Sequence, residues 1–178
     1  MRRLLLILLL CLPSALLPAE LDDVIRQIVA TYNSALDAMN RGDAEAALKM
    51  DTDDWVSITL NQKPVPKADL AFYIRRDIAS MKNPPGWIAF WKPDYAHTGT
   101  GNGNGIQLYD VQLMGDEAVV LELVGGTHTE KIDGADHQVW TGSHVRDTWI
   151  RTRDGWKRRK HEKLTVNEKM IDGKSAPQ

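Results

Sequence analysis

The stretch RDTWIRTRDGWKRRKHEKL, residues 146–164, sets Asp154-Gly155 between two runs whose side chains alternate in character. Asp-Gly between alternating runs is a strong short-range signal for a tight β-hairpin. A hairpin fixes register, because strand side chains repeat every two residues and a slip of one residue exchanges the two faces. With a two-residue type I′ loop, Arg153 faces Trp156, and Val145–Leu164, Asp147–Glu162, Trp149–Lys160 and Arg151–Arg158 become opposed pairs. This face also carries Thr141, Ser143 and Val166. It is the more apolar of the two and is expected to turn inward. His144, Arg146, Thr148 and Ile150 lie opposite Lys157, Arg159, His161 and Lys163 on a face expected to meet solvent. The charged run WKRRKHEK is therefore read as one strand divided by its period, not as a basic patch.

The inward half carries the candidate chemistry. Opposed residues sit about 5 Å apart at Cβ, which sets the carboxylates of Asp147 and Glu162 against each other on a half-buried surface. Two such acids do not both ionise cheaply; one pKa rises or a cation compensates, and Lys160, diagonal to Asp147, is placed to be that cation. Asp147 and Glu162 are the candidate catalytic pair, and Lys160 is assigned to the pocket. The alternative is a buried Asp-Lys-Glu network that only holds the sheet together.

Upstream, Leu21, Val24, Ile25, Ile28, Val29, Tyr32, Leu36 and Met39 recur at the spacing of one helical face, which predicts a helix from Leu21 to about Arg41. Gly42 ends it, and Asp43 caps a short helix over Ala44–Met50. DTDD reads as a turn and WVSITL as a strand. Pro64 and Pro66 bracket a connection to a third helix, Lys67 to about Lys82. Asn83–Gly105 carries Trp87, Phe90, Trp91 and Tyr95, read as a lid or as core, and then HTGTGNGNG. A strand follows that loop rather than a helix N-terminus, which argues against a phosphate cradle. Strands are predicted over Ile106–Met114, Glu117–Val124, Gln138–Arg151 and Trp156–Asn167, with an irregular crossing through Asp133-Gly134. Helices first and hairpin-linked strands afterwards indicate an α+β fold, with three N-terminal helices on one face of an antiparallel sheet.

Residues 1–19 read as a cleaved secretory signal: Arg2 and Arg3, an apolar run over Leu4–Leu10, then Pro18-Ala19. Secretion or a periplasmic location is expected, with no membrane association after cleavage. A lipid anchor on Cys11 is disfavoured, because Leu10 occupies the position where such a motif requires a small residue. Cleavage removes the single cysteine, leaving neither a disulfide nor a thiol nucleophile. It also moves the formal charge from −2 to about −4, which speaks against a nucleic-acid partner. His97, His128, His137, His144 and His161 show no ligand spacing, so no metal and no cofactor are expected.

Taken together, YNSALDAMNRGDAEAALKMDTDDWVSI, VPKADLAFYI, VQLMGDEAVV and the hairpin resemble the nuclear transport factor 2-like superfamily in its SnoaL-like branch, over about Leu21–Val166. The resemblance implies a single domain over residues 20–178, a strongly curved, cone-shaped barrel with an internal pocket between sheet and helices. It implies a small-molecule ligand, with Tyr32, Trp55 and Trp149 around its apolar part, and pairing of relatives through the sheet, for which Trp140 and Ile150 on the outer face are suited. Matched to ketosteroid isomerase, the helix-one tyrosine falls on Ala35, the general base on Thr59 and the second oxyanion donor on Asp147. One position of three fits that chemistry. Three readings follow: a binding protein, a lyase or isomerase using the carboxylate pair, and a non-catalytic dimerising module.

Overall fold

The computed structural model describes residues 16–80, 86–93, 104–165 and 168–176. Most of the proposed signal, Tyr95 and most of the glycine-rich stretch lie outside the described residues. Helix α1 spans Leu16–Asn40, and α2, Ala44–Ala47, is followed by a 3₁₀ turn at Leu48–Met50. Asp43 caps α2, its Oδ1 accepting from Ala46 N at 2.9 Å. Strands β1 (Asp51–Ile58) and β2 (Pro64–Pro66) precede α3, Lys67–Ser80. The third helix therefore lies between strands rather than ahead of them all. The remaining strands are β3 (Ile88–Trp91), β4 (Gly105–Met114), β5 (Glu117–Ile132), β6 (Ala135–Thr152), β7 (Gly155–Lys163), β8 (Glu168–Ile171) and β9 (Lys174–Ser175).

The α+β class holds, but the sheet is mixed. Its order is β2-β1-β7-β6-β5-β4-β3, with β8 on β6 and β9 on β8. The pairs β1–β7 and β3–β4 are parallel and the rest antiparallel, and the sheet does not close into a barrel. No described helix is long and apolar enough to cross a membrane.

Two segments depart from the sequence expectation. The stretch read as an irregular crossing is one continuous hairpin, with β5 and β6 in unbroken register from Glu117↔Ile150 to Ile132↔Ala135. Gly125 and Gly142, which look like strand breakers, face each other there because the Trp140 ring lies across both and leaves no room for a Cβ. Trp140 pairs with Met170 of β8, and both are buried, so this tryptophan is covered by its own chain and does not supply an outer dimerising surface. Within Asn83–Gly105, whose aromatics are read from sequence as a lid or as core, Ile88–Trp91 forms an edge strand on β4. The amide of Asn33 on α1 brackets it, donating to Ala89 O at 2.9 Å and accepting from Ala89 N at 2.8 Å. Those two bonds satisfy backbone groups that an edge strand leaves open.

The core forms where the apolar face of α1 meets the sheet. Val24, Ile25, Ile28 and Tyr32 pack with Leu108, Val111, Ala118, Val120, Trp149 and Trp156. Tyr32 meets Trp149 edge-to-face at 4.9 Å between ring centroids.

Candidate functional site

The hairpin around Asp154-Gly155 forms with its loop one residue earlier than expected, which moves the pairing at the turn by two residues. Thr152 pairs with Gly155, so Arg153-Asp154 forms the loop, and Gly155 takes φ +103° as the first residue of β7. Arg159 is then an extra residue on β7, because Thr148 pairs with Lys160 while Trp149 pairs with Arg158. This bulge reverses the faces beyond it. Asp147 faces His161, not Glu162. Glu162 instead lies beside Arg146 at 3.4 Å and Lys160 at 3.3 Å on the opposite face. The Asp147–Glu162 pair with Lys160 as its cation is thus not formed, and His161, assigned outward, turns inward.

Asp147 does sit at the centre of a buried polar cluster, with different partners. Its side chain is wholly buried. Oδ1 meets Nδ1 of His161 at 2.7 Å, Oδ2 accepts from Nη1 of Arg158 at 3.1 Å, and Oδ2 also meets the Tyr32 hydroxyl. That hydroxyl lies 2.8 and 3.0 Å from the two carboxyl oxygens of Glu122, which is 1 % exposed. Glu122 comes from β5, opposite Val145 and diagonal, by two residues, to Asp147. Arg158 completes the cluster by donating from Nε to Oδ1 of Asp51 at 2.7 Å; the two residues are neighbours on parallel strands. The guanidinium also lies 5.5 Å from the Trp55 ring centroid and 5.9 Å from that of Tyr32.

The protons in this cluster follow from the charges. Burial and the neighbouring Asp147 charge push the Glu122 carboxyl well above its ordinary range, more than its bond to Tyr32 and the Arg158 charge pull it down. Burial would also raise Asp147, but the charges of His161 and Arg158 and the hydrogen bonds from His161 and Tyr32 bring it down to about 2. Burial thus favours the neutral form of Glu122 while the neighbouring cations favour the ionised form of Asp147, two acids in one site driven apart by their surroundings. Tyr32 keeps its proton, because burial and both carboxyls raise it. Arg158 keeps its charge: burial opposes it, but Asp51 and Asp147 outweigh burial. A tyrosine hydroxyl has one proton to give. Both Asp147 and Glu122 lie within reach of it, so the Tyr32 hydroxyl is the donor that the two carboxyls share.

Above this cluster lies a cavity of about 350 Å³ lined by Tyr32, Ala35, Leu36, Met39, Met50, Leu70, Ile74, Trp87 and Ile106, with Asn40, Ala47, Asp51 and Arg158 completing it. Its size falls at the low end of the range for small-molecule sites. Tyr32, Asp51 and Arg158 belong both to the cavity and to the network; Glu122 and Asp147 lie behind them. Trp149 and Trp55 are buried beneath Tyr32 and Arg158 rather than in the cavity wall. Of the aromatics read as lid or core, Trp87 lines the cavity, Phe90 is half-buried and Trp91 is exposed. One carboxylate oxygen of Asp51, Oδ2, is buried without a hydrogen-bond partner among the described residues. Among those residues, no group of three or more His, Cys, Asp or Glu is placed to hold a metal ion.

Sequence reasoning missed Glu122 and Asp51. Glu122 sits in AVVLELV, apolar at both parities, so the alternation does not say which face is inner; a lone acid within that run was the available signal. Asp51 was absorbed into a turn reading of DTDD, yet it begins β1.

No family model and no curated protein matches the sequence. Solved structures do resemble the chain. The Kfla4162 protein from Kribbella flavida matches at TM-score 0.53 and 15% identity, over 83% of this chain and 95% of that one. A conserved protein from Planctomyces limnophilus matches at TM-score 0.52 and 14% identity, over 82% and 97%. An NTF2-like protein with a cystatin-like fold from Novosphingobium aromaticivorans matches at TM-score 0.45 and 18% identity, over 85% of each chain. The helix-first order and the two long hairpins agree with the family resemblance of the sequence. The chain shares the fold of the Kribbella and Planctomyces proteins. At these identities the likeness speaks to fold alone, and one fold hosts many chemistries. Function has to be argued from the cluster and the cavity.

Proposed function

We propose that this SnoaL-like domain binds a small, largely apolar molecule in the cavity bounded by α1, α3 and the sheet. One observation carries the reading: an apolar cavity ends on three polar side chains, Tyr32, Asp51 and Arg158, each held by the buried network behind it. Apolar walls with a few fixed polar groups are what a small-molecule site requires, the walls supplying affinity and the polar groups orientation. The network keeps those groups in place before a ligand arrives. The test is a library of small apolar compounds screened against the protein carrying ¹³C-methyl methionine. Compounds that bind should shift the Met39 and Met50 methyl signals, and Leu36→Trp, which fills the cavity, should abolish the shifts while leaving the circular dichroism spectrum unchanged. A library that moves neither methyl overturns the reading.

A lyase or isomerase reading draws support from a different observation, the buried cluster of Glu122, Tyr32 and Asp147, of which Tyr32 lines the cavity. Glu122, whose neutral form burial favours, can replace a proton that Tyr32 gives to a bound molecule, with Asp147 and Arg158 orienting the hydroxyl. Under this reading Glu122→Gln abolishes turnover but leaves ligand affinity within about twofold. Equal turnover by the variant removes Glu122 from the mechanism.

The domain is further proposed to act outside the cytoplasm, after loss of residues 1–19. A reporter enzyme active only after export, fused behind residues 1–25, should be active and should lose activity when Leu5, Leu6 and Leu8 are replaced by Asp.

A further inference from the structure

The half-paired carboxylate of Asp51 narrows the chemistry of the ligand. Asp51 is 2 % exposed, yet it lines the cavity. Its Oδ1 is occupied by Arg158 Nε at 2.7 Å, while Oδ2 has no hydrogen-bond partner among the described residues. The nearby Lys67 ammonium is engaged elsewhere, donating to the Asp51 backbone carbonyl at 2.8 Å and lying 3.7 Å from Asp53. A buried carboxylate oxygen without a donor is costly, and the cost is relieved by any donor that reaches it. Beside it, Arg158 also lines the cavity; its bonds to Asp51 and Asp147 and its 3.5 Å approach to His161 Nδ1 use Nε and Nη1, and a guanidinium carries N–H donors beyond these.

We infer that the ligand of this cavity carries one hydroxyl group on an apolar frame, the hydroxyl donating to Asp51 Oδ2 and accepting from Arg158. The inference rests on the cavity reading proposed above. A hydroxyl suits the site because it gives and takes at one atom. An ammonium would satisfy Asp51 but meet the Arg158 charge, and a carboxylate would meet Arg158 but be repelled by Asp51. A hydrocarbon would fill the walls and leave the oxygen unpaired. The apolar frame is set by Leu36, Met39, Met50, Leu70, Ile74 and Ile106.

The test compares 2-naphthol, naphthalene and 2-naphthoate, which share one frame, by titration of the unmodified full chain with the Met39 and Met50 methyls as reporters. The hydroxyl compound should bind at least about tenfold more tightly than either of the others, the factor expected of a hydrogen bond to a buried charge. In Asp51→Asn the preference should fall to about twofold or less, with naphthalene binding unchanged; where that variant does not fold, the comparison on the native chain decides alone. Equal binding of 2-naphthol and naphthalene overturns the hydroxyl assignment and leaves an apolar cavity. Tighter binding of 2-naphthoate also overturns it and makes Arg158 an anion site. If none of the three binds, the hydroxyl assignment fails for this frame, and the cavity reading falls with it only when the wider apolar library also leaves both methyls unmoved.

Discussion

Tyr32 is the residue on which the buried network depends, because its single hydroxyl lies between two carboxyls that would otherwise face each other unbridged. Tyr32→Phe keeps the ring and its contact with Trp149 but strips both acids of that partner. It should lower stability by about 1–3 kcal/mol in urea unfolding at neutral pH. A change under a few tenths of a kcal/mol would mean that the acids find water instead. The same residues set the pH response, with opposite signs. Glu122 titrates above its unfolded value, so its contribution to stability is complete below the ordinary glutamate range and is lost as pH rises through the folded value. Asp147 titrates at about 2, below its unfolded value, so its contribution is present above the ordinary aspartate range and is lost as pH falls toward 2. Glu122→Gln should therefore gain stability relative to the native chain as pH rises above about 5, where an ordinary glutamate is ionised. Unfolding free energies of the two proteins, measured at three pH values, check this; a constant difference across pH would show that Glu122 is ionised in the folded state.

At the scale of elements, three Asp-Gly pairs show what a turn motif does and does not specify. Asp133-Gly134 and Asp172-Gly173 both take positive φ at both residues, at 51° and 85° and at 48° and 78°, the geometry of a two-residue hairpin loop. At Asp154-Gly155 only the glycine does, at 103°, and it belongs to the strand. All three dipeptides sit at hairpin turns, but the motif does not say which residues form the loop. The earlier loop shifts the pairing by two residues and so keeps the faces; the bulge at Arg159 is what moves Lys160 and Glu162 off the inner face and brings His161 onto it. Arg158, before the bulge, kept its expected direction. Asp147 kept its place because β6 runs regularly between β5 and the turn. Glycines inside strands have a separate cause, and it can be tested. Gly142→Ala drives a methyl into the Trp140 ring, whereas Gly155→Ala meets nothing and suffers only from its backbone angle. The first should cost about 3 kcal/mol and the second about 1–2 kcal/mol. In a Trp140→Ala background, Gly142→Ala should cost under about 1 kcal/mol while Gly155→Ala is unaffected. An unchanged cost of Gly142→Ala in that background would remove Trp140 as the reason for the glycine.

Over the whole molecule, class and element order were legible because local signals agree: the amphipathic face of α1, the Gly42-Asp43 break, and Asp-Gly turns between alternating runs. What was not legible is set by long-range contact. Parallel pairing of β1 with β7 joins segments far apart in sequence, and that of β3 with β4 joins consecutive strands in the less common sense; neither leaves a local mark. Asp51 and Arg158 become neighbours only through that first pairing, and Glu122 meets Tyr32 only when α1 lies on the sheet. The functional cluster is thus assembled by topology from residues that look unremarkable in their own segments. The central claim is that the cavity above Tyr32, Asp51 and Arg158 holds a small molecule. Native mass spectrometry of the chain purified from cells that produce it tests this most directly. One small-molecule adduct should accompany the native chain and be absent from Leu36→Trp. The same bare mass for both proteins, with no apolar compound shifting the Met39 or Met50 methyls, would contradict it.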